Sequence, residues 1–176
     1  MNFDFFDSLS ASDAHEHLQG FLDTEHAAIM SLSSAAEQAG ILMDFSIATL
    51  PSVLKWILTS VRIFRVPVPA TEPAWVQQAH KGGLIDFPSE SKYMILRAAY
   101  YLGECFVRSN GALRWTIGDS EYVQKNMPVV AGFRSGEEMA PMMVCENVFG
   151  RILGDGAPES HIDIMVQCWT GKRPST

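Results

Sequence analysis

The chain has 176 residues, of which 47% are hydrophobic and 19% are charged, a balance typical of a globular chain with a sizeable core and not of a disordered one. The formal net charge is −7, which disfavours nucleic acid and anionic membranes as partners and favours a basic one. The first residues carry no positive charge, and no apolar run reaches about 18 residues, so the sequence predicts a cytoplasmic protein without signal peptide or membrane span.

The first long helix is predicted to begin near Ser10, because Ser10 and Asp13 have the serine-x-x-acid spacing of a helix start. Gly40 fits the position just after its end. Its predicted inner face consists of Leu18, Phe21, Leu22, Ile29 and Met30.

A second helix is predicted from Thr49, since Pro51 suits a first turn and apolar residues continue at helical spacing as far as Phe64. Three prolines between residues 65 and 73 then predict an extended connector. Pro73 opens a short helix that runs to His80 and is closed by two glycines.

The stretch from Lys92 to Trp115 predicts a central helix followed by a turn and a strand, with Ser89 as the N-cap. Two apolar stripes on this helix indicate that it is covered on most sides. Gly103 lies inside it, where glycine costs about 1 kcal/mol relative to alanine. We therefore expect another element to approach the backbone closely at Gly103.

The rest of the chain predicts a hairpin and two more helices. Asn110-Gly111 marks a turn, and residues 112–117 and 128–133 read as the two strands. A helix starts at Pro141, and residues 161–169 form a helix or, alternatively, a strand. The predicted fold is α+β and mostly helical, with five to six helices around the central one and a small antiparallel β-hairpin. One domain spans residues 1–176, with its core at about 10–170.

Candidate reactive groups are few in the sequence. His15 and His17 are two residues apart and point to different faces of a helix, and His26 is too distant to complete a metal site. The cysteines, Cys105, Cys145 and Cys168, are far apart and lie in apolar runs, so they read as buried free thiols. The sequence predicts no metal, no cofactor and no catalytic residue.

Glu104 is the charge that most needs a partner, because it lies within the helix predicted to be buried. One interpretation is a helix-to-sheet tie with Arg108 or Arg114. The other is a catalytic acid, which would need a second carboxylate, and Asp119 and Glu121 are the near candidates.

Acidic and aromatic residues cluster in the predicted hairpin loops. They are Asp119, Glu121, Tyr122, Glu137 and Glu138. Such a set is commonly a solvated rim, but in an acidic chain it is also where a basic partner would bind.

Two stretches carry a resemblance to known proteins. LMDFSIATLPSVLKWIL and AAYYLGECFVRSNGALRWTIGD, which fall within residues 41–153, resemble small bacterial cytosolic domains with a Y-L-G-E helix followed by a Trp-bearing strand. Some members of this group are immunity-type proteins of polymorphic or type VI secretion toxins. The group has no agreed catalytic residues, and this chain departs from it in its proline-rich connector.

The resemblance implies a non-enzymatic immunity protein that occludes the active site of a basic or mixed-charge toxin. Two alternatives stay open at this point. One is a small hydrolase or transferase built around Glu104, and the other is a chaperone or adaptor for a secreted effector. The sequence leaves the oligomeric state open.

Overall fold

The computed structural model describes residues 4–119, 124–134 and 136–174. Seven helices, α1 to α7, lie within these ranges at Asp4–Asp7, Ala11–Gln38, Leu50–Leu58, Ala74–Ala79, Ser89–Ser109, Pro141–Asp155 and Ser160–Gly171. Four strands, β1 to β4, lie in the same ranges at Phe64–Val66, Leu84–Asp86, Arg114–Ile117 and Pro128–Ala131. The predicted mostly helical α+β class is confirmed.

Helix α5 is the centre of the fold, as the two apolar stripes predict. Nearly every residue from Ala98 to Phe106 is buried, and α2, α3 and α6 pack around the helix. The expected close approach at Gly103 is also confirmed. A Cβ atom there would lie 2.0 Å from Cζ2 of Trp115, so only glycine lets the β3 indole ring lie against the helix. Helix α5 begins at Ser89 and not after it, with Pro88 at the cap position.

Helix α2 begins where the sequence predicts. The Ser10 hydroxyl accepts a hydrogen bond from the Asp13 backbone N–H at 3.2 Å, and the Asp13 carboxylate accepts one from the Ser10 backbone. Gly40 follows the helix with φ +70°, as expected of the residue after a C-cap. The predicted inner face is wrong at Met30, which is 58% exposed, because the face that packs on α5 runs through Ile29 and Leu32.

Helix α3 is shorter than the apolar spacing predicts. It ends at Leu58, and the chain turns so that the Arg62 backbone N–H donates to the Ser91 hydroxyl at 2.8 Å. Phe64 is therefore not helical but starts β1, which pairs antiparallel with β2 in the register Phe64↔Asp86. This second small sheet has no counterpart in the sequence prediction.

The predicted hairpin is present. Strands β3 and β4 pair antiparallel, with Trp115 opposite Val130. The strand β4 is buried at Val129 and Val130, which fixes the hairpin against the helices. The last element is a helix and not a strand, since Ile162 and Val166, four residues apart, are its buried positions.

Candidate functional site

Three of the four predicted partner-binding acids, Asp119, Glu137 and Glu138, line one cleft of about 480 Å³. Asp119 follows β3, and its backbone N–H donates to the two carboxylate oxygens of Glu138 at 3.1 and 3.3 Å. Glu137 and the ring of Trp169 line the same cleft. Glu121 and Tyr122 lie outside the described residues. The antiparallel hairpin thus brings together acids that are about twenty residues apart in sequence.

A lysine also reaches this cleft. Lys172, just after α7, has its Nζ 2.8 Å from the Glu137 carboxylate and 4.5 Å from the centre of the Trp169 ring. Both members of this ion pair are partly exposed, so the pair is worth about 0–1 kcal/mol. The three carboxylates outnumber this ammonium group, so the cleft keeps an acidic character.

Glu104 forms the predicted helix-to-sheet tie. Its Oε2 accepts a hydrogen bond from Arg108 Nε at 2.8 Å, and its Oε1 accepts one from Trp115 Nε1 at 3.0 Å. The partner is Arg108, one turn along the same helix, while the link to the sheet is the indole of Trp115. The Glu104 side chain is only 13% exposed, so both contacts are needed to satisfy its carboxylate.

A second carboxylate does face Glu104, and it is Glu25 of α2. The two carboxyl groups interact, and a hydrogen bond between them requires a proton on one of them. Partial burial, and then the negative charge of Glu104, raise the pKa of Glu25 to about 8. With its raised pKa, Glu25 holds its proton at neutral pH.

The sequence correctly offered Arg108 as a partner of Glu104, but it did not offer Glu25 as the second carboxylate. Asp119 lies at the other cleft, and Glu121 is outside the described residues. A signal was nevertheless present in α2. Glu25 is four residues after Phe21 and four before Ile29, so it interrupts the inner stripe at helical spacing. Phe21 packs edge-on to Trp115 at 5.4 Å, which places the following turn over Glu104.

The structure also places the candidate metal ligands and the cysteines. Among the described residues, no group of three histidine, cysteine or carboxylate side chains is close enough to hold a metal ion. Cys105 is buried, and that burial raises the pKa of its thiol to about 12. Cys145 is also buried. Cys168 is exposed, since it faces away from the core on α7, so the prediction of a buried thiol is wrong for Cys168.

An apolar cavity of about 840 Å³ lies on another part of the protein. It lies beside the N-terminal half of α2, with Phe21 and Tyr100 in its wall. The Tyr100 hydroxyl is fixed there, because it donates to the Phe21 carbonyl at 2.8 Å and lies 2.7 Å from the Thr24 hydroxyl. No sequence motif indicated this cavity.

Comparison with known proteins gave no relatives: no family model, no curated protein sequence and no solved structure matches the chain. Across the described ranges, every helix is too short or too polar to span a bilayer.

Proposed function

We propose that this chain is an immunity-type protein, which binds a basic or mixed-charge toxin and neutralises it by occluding the active site. The observation that carries the proposal is the cleft where Asp119, Glu137 and Glu138 converge beside Trp169. A rigid aromatic ring next to several carboxylates is the combination that binds lysine- and arginine-rich protein surfaces. The resemblance of residues 41–153 to immunity-type domains supports the same reading.

The charge of the whole chain favours such a partner. A net charge of −7 attracts a basic protein over a distance of about 10 Å at ordinary salt and accelerates its association. The cleft would then supply specific contacts, because its carboxylates are held by the Asp119 backbone and by Lys172. Lys172 can exchange Glu137 for an acidic group of the partner, so a mixed-charge surface fits as well as a basic one.

The proposal requires a neighbouring reading frame for a secreted protein with a toxic C-terminal domain, and a metabolic operon there would contradict it. The test then uses that toxic domain. A triple variant, Asp119→Asn, Glu137→Gln and Glu138→Gln, should bind that domain at least about tenfold more weakly and should lose protection of growing cells. The matched control removes the same charge at exposed positions elsewhere, with Asp23→Asn, Glu37→Gln and Glu90→Gln. Equal losses in the two variants would mean that only net charge matters, and the cleft would not be the interface.

The pair of Glu25 and Glu104 favours a second candidate function, an acid–base enzyme. Two carboxyl groups that share a proton, one with a pKa near neutral, have the arrangement used in general acid–base catalysis. Glu104→Gln should then abolish hydrolase or transferase turnover and leave the fold intact. If the pair is a structural tie, the same change lowers the melting temperature and removes no activity.

A chaperone or adaptor role differs from immunity in its effect on the client. An immunity protein suppresses the activity of its toxin at one-to-one stoichiometry, whereas an adaptor binds its client and leaves the activity intact. An inhibition assay with the purified pair therefore separates the two.

A further inference from the structure

The apolar cavity is lined by residues of two hydrophobic clusters. Leu96 and Met142, on one side, belong to the main core around α5. Phe6, Leu9 and Met127, on the other side, belong to a smaller cluster under the hairpin. The cavity is open to solvent on one side, and its volume of about 840 Å³ is in the range of small-molecule sites.

Gly20 lies at the edge of this cavity, at an exposed position of the long helix α2, where glycine is disfavoured relative to alanine. A Cβ atom placed on Gly20 has no described neighbour within 4 Å, whereas one placed on Gly103 would collide with Trp115. A larger side chain at position 20 therefore has room to extend over the cavity.

The wall formed by α1 is held in place and does not depend on the filling of the cavity. Asn126 adopts a left-handed backbone conformation with φ 60°, which asparagine tolerates better than most residues. From there its side-chain amide donates to the carbonyl of Phe6 at 2.9 Å and to that of Leu9 at 3.1 Å. These two bonds fix α1 and the link to α2 onto the hairpin, so the cavity is preformed.

The polar side chains in the lining are two carboxylates, one histidine and two hydroxyl groups, so the carboxylates of Asp13 and Glu16 are its ionised groups of one sign. Asp13 and Glu16 line one side, and the Asp13 carboxylate already accepts from Ser10 at the helix start. Glu16 has no hydrogen bond or ion pair with any residue of the described ranges. Aromatic rings of Phe6, Phe21 and Tyr100 line the apolar part. Aromatic faces beside unneutralised carboxylates attract a cation and not an anion.

We propose that this cavity binds a small amphiphile with an aliphatic body and a cationic end, of the alkylammonium class. The body would lie between Leu96 and Met127, and the cation would lie beside Glu16 and Asp13. This site is separate from the acidic cleft, and the proposal does not depend on the immunity function.

The probe is decyltrimethylammonium, added below its micelle-forming concentration, with decanoate and decanol as chain-matched comparisons. Methyl signals of methionine, labelled with carbon-13, report the position of binding. We expect saturable shifts at Met127 and Met142, which line the cavity, and none at Met30, which is exposed elsewhere on α2. Affinity should be at least about tenfold higher for the cation than for decanoate. Equal binding of all three probes, or shifts spread over every methionine, would overturn the proposal.

A series at position 20 separates the cavity from the stability of the helix. Gly20→Ala adds one carbon atom, so it should raise the melting temperature and retain binding. Gly20→Leu should also fold, because no neighbour lies within 4 Å of its Cβ, but its side chain fills the cavity and should weaken binding at least about tenfold. Ala27→Leu, on an exposed part of α2, is the matched control and should bind as the wild type does.

Three results would contradict the proposal. The first is wild-type affinity in Gly20→Leu, and the second is destabilisation by Gly20→Ala, which would reveal a packing role for the glycine. The third is a dimer of the wild-type chain that dissociates in Gly20→Leu, since the cavity would then be filled by a second copy.

Discussion

Replacing Glu25 with glutamine should remove a loss of stability that the wild-type protein suffers as pH rises. In the native state the Glu25 carboxyl shares its proton with Glu104, whose other contacts are Arg108 and Trp115. When that proton is lost, two carboxylates face each other in a partly buried site. Glutamine has nearly the same shape, and its amide N–H can donate to Glu104 at every pH.

The sign and size follow from the pKa of Glu25, which is 4.5 for the free side chain and about 8 in the folded protein. Between these pH values the native state holds more protons than the unfolded state. The contribution of Glu25 to the free energy of unfolding is therefore at its maximum below pH 4.5 and falls as pH rises to about 8. Each pKa unit corresponds to about 1.4 kcal/mol. Because Glu25 is only partly buried and solvent screens its charge, we expect a total fall of about 1–2 kcal/mol.

Urea denaturation at pH 5, 6.5 and 8.5 measures the effect. From pH 5 to pH 8.5 the unfolding free energy of the wild type should fall by about 1–2 kcal/mol more than that of Glu25→Gln. Asp23→Asn makes the same charge change at an exposed position of the same helix, so it should follow the wild-type profile. Parallel profiles for wild type and Glu25→Gln would refute the shared proton.

Three further substitutions test the contacts that define the fold. Gly103→Ala should cost about 1–3 kcal/mol in urea denaturation, because the new methyl group collides with the Trp115 ring, and a stabilised variant would show that the ring moves freely. Ser10→Ala should cost about 1 kcal/mol by the same measurement, since it removes the cap of α2, whereas an unchanged midpoint would mean that this end is frayed. Trp115→Phe should cost about 1–3 kcal/mol, because it leaves Glu104 Oε1 without its indole donor. Trp115→Phe should cost less free energy of unfolding when Glu104 is already glutamine. Additive costs of the two substitutions would argue against the hydrogen bond between Trp115 and Glu104.

The sequence predicted those elements whose ends carry a local signal. The start of α2 is set by Ser10 and Asp13, the start of α6 by Pro141, and the hairpin by strands that lie close in the chain. The pair of β1 and β2 was missed because each strand has three residues and is defined only by pairing across about twenty residues. Such short segments have no periodicity of their own, so only the tertiary contact makes them strands.

The sequence predicted one candidate site better than the other. Asp119, Glu137 and Glu138 could be grouped from the sequence because they flank one hairpin, and antiparallel pairing brings flanking loops together. Arg108 could be found as a partner of Glu104 because it lies one helical turn away, but the second carboxylate could not, since Glu25 is about eighty residues away on another helix. Its position in the apolar stripe of α2 indicated a buried acid, but not which buried group it would face.

Two helical glycines show why the apolar cavity lay beyond sequence reasoning. Gly20 and Gly103 both lie inside helices, where glycine costs about 1 kcal/mol relative to alanine. At Gly103 the cost is offset inside the protein, because the Trp115 ring packs where a side chain would be and donates to Glu104 one residue further on. At Gly20, which is exposed, no described neighbour lies within 4 Å of an added Cβ, so no described contact offsets the cost. The binding series at position 20 measures whether a ligand in the cavity makes use of that open space.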